Sequence, residues 1–390
     1  MALTVRGHRL PTWDTLPGLS RLSDRHRGFL LRALLVAVGV RVGLVIAGYI
    51  VGYMIIGREA VNWTDVLEET WSRWDANNYI RIAQNGYQSE GDDRVLIVFF
   101  PLFPLAMRAL HFIVPSYWVA GAIISFIASV GAGYFLQSLV AKEGGDDAEA
   151  DRSLWYLSLF PTAYFLAMPY TEAMFLLFVT GSFFAARNGR WEWAGVLGML
   201  ACLTRFPGIV LIPALAIEAL HQNRWRIPWH AFWLALVPVG TLTYLIINWV
   251  ILGDPLEFVE IQREHWFLES AWPWDTFKDT YDSIAGFPPG NTRLGIYEFR
   301  AASMILGAIL MLSGARFLRP SYQVYGWMSL LLIASASFQI SMPRYLLGIF
   351  PLFMVLAHWG RHPGLHQAWL TASSFLLGTI YVVYATRFGF

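Results

Sequence analysis

Apolar stretches recur along nearly the whole chain, and they constrain its fold more than any other feature. The first runs from Leu30 to Ile56. Later ones cover 95–114, 117–140, 154–168, 171–187, 191–204, 207–220, 230–252, 301–318, 322–341, 344–358 and 366–387. A membrane-crossing helix needs about 20 mostly apolar residues. The expected fold class is therefore an all-α polytopic membrane protein. Composition agrees: 14% of the 390 residues are charged, where a soluble domain carries about 25%. Aromatics at 16% supply rings for interfacial belts. A net charge of +1 gives no reason to expect a nucleic-acid partner. The single cysteine, Cys202, excludes an intramolecular disulfide.

Several stretches are shorter than a straight span and are interrupted by Pro or Gly. Broken backbone is tolerated at membrane depth only where protein or a wet cavity covers it. Basic residues set the sides. The arginine-rich leader (Arg6, Arg9, Arg21, Arg25, Arg27) has no small-residue cleavage site after its apolar run, so 1–29 is read as a cytoplasmic tail. Arg187, Arg190, Arg224, Arg226, Arg316, Arg319 and Arg361 join it on the inside. Residues 30–390 then form a single transmembrane domain of about 11 crossings, with 57–94 and 253–300 as outer loops. This requires 154–187 to cross once, with a re-entrant break near Pro169. The acidic stretch Glu143–Asp151 reads most simply as a solvated connection.

The first outer loop is polar and aromatic. The spacing predicts one interfacial helix over 65–84, with Trp71, Asp75, Asn78 and Ile82 on one stripe. Asp75, set among rings and an amide, is a candidate general base; the plainer reading is a solvated Asp on a Trp-anchored surface helix. Phe99-Phe100-Pro101-Leu102-Phe103-Pro104 follows, where prolines near a helix start shape the entry to the membrane.

Glu172, Arg205 and Arg344 lie within or beside apolar runs. Ionisable residues there are costly and usually face a protein interior or a wet cavity. Arg205 precedes Pro207-Gly208 and Arg344 follows Pro343. A guanidinium beside a helix start suits a phosphate; each arginine also suits snorkelling or a structural pair with Glu172. Glu172 itself fits orienting an arginine, binding a sugar hydroxyl or acting as a second carboxylate. The second outer loop carries His265, a weak candidate, with Trp266, Trp272, Trp274 and Pro288-Pro289-Gly290-Asn291. Its Trp faces suit sugar stacking and membrane anchoring alike. HExxH, CxxC and Walker patterns are missing, so nothing supports a metal or nucleotide cofactor.

Taken in order, these segments resemble the PIG-V family. The resemblance rests on Arg73-Trp74-Asp75 with Tyr79, Ile82-Ala83 and Gly86-Tyr87, and on Phe99-Phe100-Pro101-Leu102-Phe103-Pro104. It continues in Phe160-Pro161 with Tyr170-Thr171-Glu172 and Phe175, in Leu203-Thr204-Arg205-Phe206-Pro207-Gly208, and in Pro343-Arg344-Tyr345 with Phe350-Pro351. It implies a GT-C type bundle and an inverting glycosyltransferase. The donor would be a polyprenyl-phosphate-linked sugar, with mannose expected, and the acceptor a lipid or glycan. The site would face outward from a bacterial plasma membrane, amid membrane lipids. On this resemblance Asp75 is the base, Arg205 or Arg344 holds the leaving phosphate, and Trp74, Asn78, Tyr79, Tyr170, Glu172, His265 and Tyr345 are pocket candidates. No cofactor is expected. A transporter or flippase of a lipid-linked sugar is the alternative, since transporters share broken helices around a polar centre; a non-catalytic scaffold is a third.

Overall fold

The computed structural model describes residues 4–5, 8–9, 23–56, 63–286, 297–337 and 341–386. Arg6, Arg21 and the Pro288–Asn291 segment lie outside the described residues. The fold is an all-α polytopic membrane bundle; among the described residues its strands, Thr4–Val5 and His8–Arg9, pair antiparallel. The helices are α1 (Asp24–Ile56), α2 (Trp63–Trp71), α3 (Asp75–Asn85), α4 (Leu102–His111), α5 (Tyr117–Lys142) and α6 (Asp147–Ser158). Next come α7 (Glu172–Arg187), α8 (Trp191–Thr204), α9 (Leu211–Gln222), α10 (Val237–Leu252), α11 (Glu257–Trp266) and α12 (Pro273–Gly286). The last are α13 (Phe299–Gly314), α14 (Pro320–Ala334), α15 (Met342–Tyr345), α16 (Phe350–Trp359) and α17 (Pro363–Ala385).

Among the described residues, four helical segments are long and apolar enough to cross a membrane unaided: Asp24–Met54, Tyr117–Lys142, Trp229–Leu252 and Pro363–Ala385. Two bent pairs, Asp92–Val98 with Leu102–His111 and Met342–Gly348 with Phe350–Trp359, would bring the number to six. The expected total of about 11 crossings therefore needs the shorter apolar helices as well, such as Trp191–Thr204, Phe206–Gln222 and Phe299–Gly314. The most extensive packing is of α5 on α7, α7 on α8 and α8 on α10, and α1 also packs against α5.

The expected break near Pro169 is present. Between α6 and α7 the chain leaves the α-helix at 159–171, apart from a short 3-10 turn at Ala163–Leu166. Buried backbone carbonyls need donors, and side chains supply them. Arg41 and Ser129 both donate to the Leu166 carbonyl at 2.8 Å, and Ser125 donates to that of Tyr170 at 3.3 Å. Arg41 of α1 thus serves this break.

Two sequence expectations are corrected. The helix over 65–84 is two helices, α2 and α3, separated at Ser72–Trp74. Periodicity runs across this break, but Trp74 takes φ 53°, ψ −126°, which no helix allows. The stretch Glu143–Asp151 is also more than a solvated connection. Asp146 caps α6 by accepting from the Glu149 N–H. Arg25 pairs with Asp147 at 2.7 Å, Arg32 with Asp151 at 2.6 Å and Arg361 with Glu149 at 2.5 Å. Glu143 accepts from Arg187 at 2.7 Å and from the Tyr322 hydroxyl at 2.9 Å. Beside it the fully buried Glu218 accepts from Arg319 through Nη2 at 2.9 Å and Nε at 3.1 Å. These acids tie helix ends together, at the opposite end of α7 from Glu172.

Candidate active site

Two residues just ahead of Asp75, Trp71 and Arg73, anchor the chain that presents it. Arg73 donates from Nη1 to the Ala385 carbonyl at 2.6 Å and to that of Tyr384 at 3.3 Å, so it caps α17. The Trp71 indole donates to the Tyr381 hydroxyl at 3.2 Å. Gly48 of α1 leaves room for that hydroxyl, since a Cβ there would lie 2.5 Å from it. The Arg73 carbonyl in turn accepts from Tyr170 at 2.9 Å, and Tyr170 and Tyr384 share a hydrogen bond at 3.0 Å. Held on both sides, the chain turns at Trp74 in a positive-φ conformation that a bulky residue adopts only under constraint. The next residue, Asp75, opens α3.

Helix α3 buries Ala76, Tyr79, Ile82 and Ala83. Arg108 of α4 caps its far end, donating to the carbonyls of Ala83 at 2.7 Å and Gln84 at 2.9 Å. The Phe-Phe-Pro-Leu-Phe-Pro segment forms the wall behind Tyr79: Phe99 and Phe103 meet that ring edge-on at 5.1 and 5.4 Å. Phe100 stacks on Tyr244 at 3.9 Å.

The two remaining pieces arrive from broken helices. Arg205 sits in extended backbone between α8 and the 3-10 turn Phe206–Val210. Gly208 lets this turn lie on α8, because a Cβ there would fall 2.6 Å from the Cys202 nitrogen. Arg344 lies in α15, and Thr162 of the α6–α7 break donates to the adjacent Pro343 carbonyl at 3.2 Å.

These elements bring Asp75, Arg344, Glu172 and Arg205 into one alternating chain of charge. Arg344 Nη1 meets Asp75 Oδ2 at 2.7 Å, and its Nε donates to Glu172 Oε1 at 2.5 Å. The same Oε1 accepts from Arg205 Nη1. Arg205 Nη1 also lies 3.4 Å from the Thr171 hydroxyl, which shares a 3.4 Å hydrogen bond with Tyr79. The Glu172 side chain is 2% exposed, Arg344 8%, Arg205 16% and Asp75 27%, so accessibility rises toward the two ends of the chain. Rings flank the guanidiniums at cation–π distance. Phe165, Tyr170 and Tyr345 lie 4.9, 5.0 and 5.6 Å from Arg344, and Tyr345 lies 5.0 Å from Arg205. Two carboxylates and two guanidiniums balance formally. A buried arrangement of this kind is tolerable because each charge has a partner.

The structure thus joins Asp75, Tyr79, Tyr170, Glu172, Arg205, Arg344 and Tyr345. Trp74 is exposed beside Asp75, and Asn78 is half-buried one turn along α3. Neither shows a side-chain hydrogen bond to the cluster among the described residues. His265 is exposed on α11 and is not brought to it; its ring neighbour Trp266 reaches Phe99, one layer behind Tyr79. Sequence reasoning missed three contributors. Thr171 sits inside a quoted motif, but its hydroxyl drew no attention. Phe165 and Tyr384 carry no local signal, since only the fold brings them to Arg344 and Tyr170.

Comparison with known proteins falls on the same segments. The family model for the mannosyltransferase (PIG-V) matches residues 58–224. The GPI alpha-1,6-mannosyltransferase 2 of Cricetulus griseus is 32% identical over 152 residues, 36% of this chain and 30% of that protein. Its counterparts in Rattus norvegicus and Mus musculus are each 30% identical, over 151 residues (36% and 30% of the two chains) and 149 residues (36% and 29%). The alignments therefore cover less than a third of these relatives' length. The family match takes in Asp75, Glu172 and Arg205, while Arg344 lies beyond it. Through residues 58–224, the segment that carries three of the four charged groups, the chain is PIG-V-like.

Proposed function

We propose that the chain is an inverting glycosyltransferase that moves mannose from a polyprenyl-phosphate-linked donor to a lipid or glycan acceptor, at the outer face of a bacterial plasma membrane. The observation that carries this reading is the alternating Asp75–Arg344–Glu172–Arg205 chain, which joins the first loop to two broken helices. It sets a carboxylate for proton removal beside guanidiniums suited to an anion.

In the proposed reaction Asp75 takes the proton of the acceptor hydroxyl as that oxygen attacks the anomeric carbon. The new glycosidic bond forms on the face opposite the departing phosphate, so configuration inverts. The anomeric carbon–oxygen bond breaks, and its electron pair leaves with polyprenyl phosphate. The arginine pair supplies the positive field against which that charge develops. Tyr79 and Tyr170 shape the space beside Asp75, and Trp74 offers an exposed ring face for a sugar.

The test is incubation of purified protein with polyprenyl-phosphate-mannose and a panel of lipid and glycan acceptors. Release of polyprenyl phosphate with formation of a mannosylated acceptor is expected. Movement of labelled lipid-linked sugar across liposomes, with no chemical turnover, would replace this reading with the transporter one.

A further inference from the structure

The two arginines differ in how their nitrogens are committed. Arg344 uses Nε on Glu172 and Nη1 on Asp75, and rings of Phe165, Tyr170 and Tyr345 surround it. Its Nε is taken by Glu172, so the side-on fork of Nε with Nη2 is closed on Arg344. Arg205 uses Nη1 on Glu172 and Thr171, with Tyr345 as its one ring neighbour. Its Nε and Nη2 make no hydrogen bond among the described residues. These adjacent nitrogens form the side-on fork that matches two phosphate oxygens.

Resting on the function proposed above, we infer that the arginines have separate tasks. Arg205 grips the donor phosphate, and Arg344 is a positioning residue that holds Asp75. Glu172 ties the two together, because one of its oxygens, Oε1, accepts from both and so fixes the reach of each. A side-on grip by Arg344 would have to take its Nε from Glu172. Arg205 reaches a phosphate with its existing bonds intact.

The experiment uses the full chain in detergent micelles. Polyprenyl phosphate binding is measured by titration calorimetry for wild type, Arg205→Lys and Arg344→Lys, alongside steady-state transfer. Lysine keeps the charge and removes the fork. Arg205→Lys is expected to weaken polyprenyl phosphate binding about tenfold or more and to raise donor KM in step. Arg344→Lys is expected to leave binding within about threefold while kcat falls by about a hundredfold, the split of a positioning residue. Asp75→Asn supplies a check should Arg344→Lys not fold. The loss of binding caused by Arg205→Lys is expected to be the same on the Asp75→Asn background as in wild type, whereas an Arg344 released to the phosphate by that change would mask it. Weakened binding in Arg344→Lys, an Arg205→Lys loss that vanishes on the Asp75→Asn background, or unchanged binding in Arg205→Lys overturns the division of tasks. A wild type that neither binds polyprenyl phosphate nor transfers mannose overturns the donor reading, and this inference with it.

Discussion

Replacing Glu172 by Gln tests the centre of the site without changing its shape. The carboxylate accepts from Arg344 at 2.5 Å and from Arg205 through the same oxygen, with its side chain 2% exposed. Each hydrogen bond to a charged group contributes about 1.5–3 kcal/mol net, so the two together are worth roughly 3–6 kcal/mol. A separate route gives a similar figure: removing one partner of a buried ion pair costs about 3–5 kcal/mol. Glutamine keeps one acceptor oxygen for one guanidinium, which places the expected loss at about 3 kcal/mol. The assay is reversible denaturation in mixed micelles followed by tryptophan fluorescence. It is run as a double-mutant cycle with Arg205→Met. A coupling of about 1.5–3 kcal/mol between positions 172 and 205 is expected. Wild-type stability in Glu172→Gln, or single changes that add to within about 0.5 kcal/mol, would refute the view that Glu172 is the shared counter-charge.

Other predictions follow from single contacts. Asp75→Asn should lower the transfer rate by about 10²–10⁴-fold, the usual contribution of a general base, as measured by steady-state turnover. Gly208→Ala should cost about 1–3 kcal/mol in the same denaturation assay, because its Cβ would sit 2.6 Å from the backbone of α8. Trp74→Gly should leave stability nearly unchanged, since relieving a positive φ gains about 1 kcal/mol and the burial lost from a side chain that is 57% exposed offsets it. It should lower transfer, since the ring beside Asp75 goes with it; a destabilised but fully active Trp74→Gly would contradict both parts.

Much of the site is legible in the sequence because charge inside an apolar run is conspicuous. Glu172, Arg205 and Arg344 each stand out for that reason, and they meet. Asp75 is marked by its aromatic neighbours, although the helix expected to carry it breaks just before it. Amphipathic spacing records which residues share a face and says nothing of a turn forced from outside; here the forcing comes from Arg73 bound to α17. Phe165 and Tyr384 look like any other apolar or aromatic residue of their helices. The acids of Glu143–Asp151 looked solvated for a related reason: their partners Arg25, Arg32, Arg187 and Arg361 are far away in the chain. The crossings resist counting because helices such as α7 and α8 are too short for a hydropathy window to separate from broken spans.

The Arg73 cap has a consequence for how the protein is made. Arg73 and the Ala385 carbonyl it binds are 312 residues apart in the chain. At about 5–20 residues per second, synthesis takes roughly 15–60 s to pass from one to the other. Through that interval the first loop has no anchor on α17, and Asp75 also lacks Arg344 until late. The nascent chain can therefore complete the site only after α17 has been inserted. A stall or truncation before α17 would leave a membrane-bound polypeptide with every charged group of the site present and the loop that presents Asp75 unlatched.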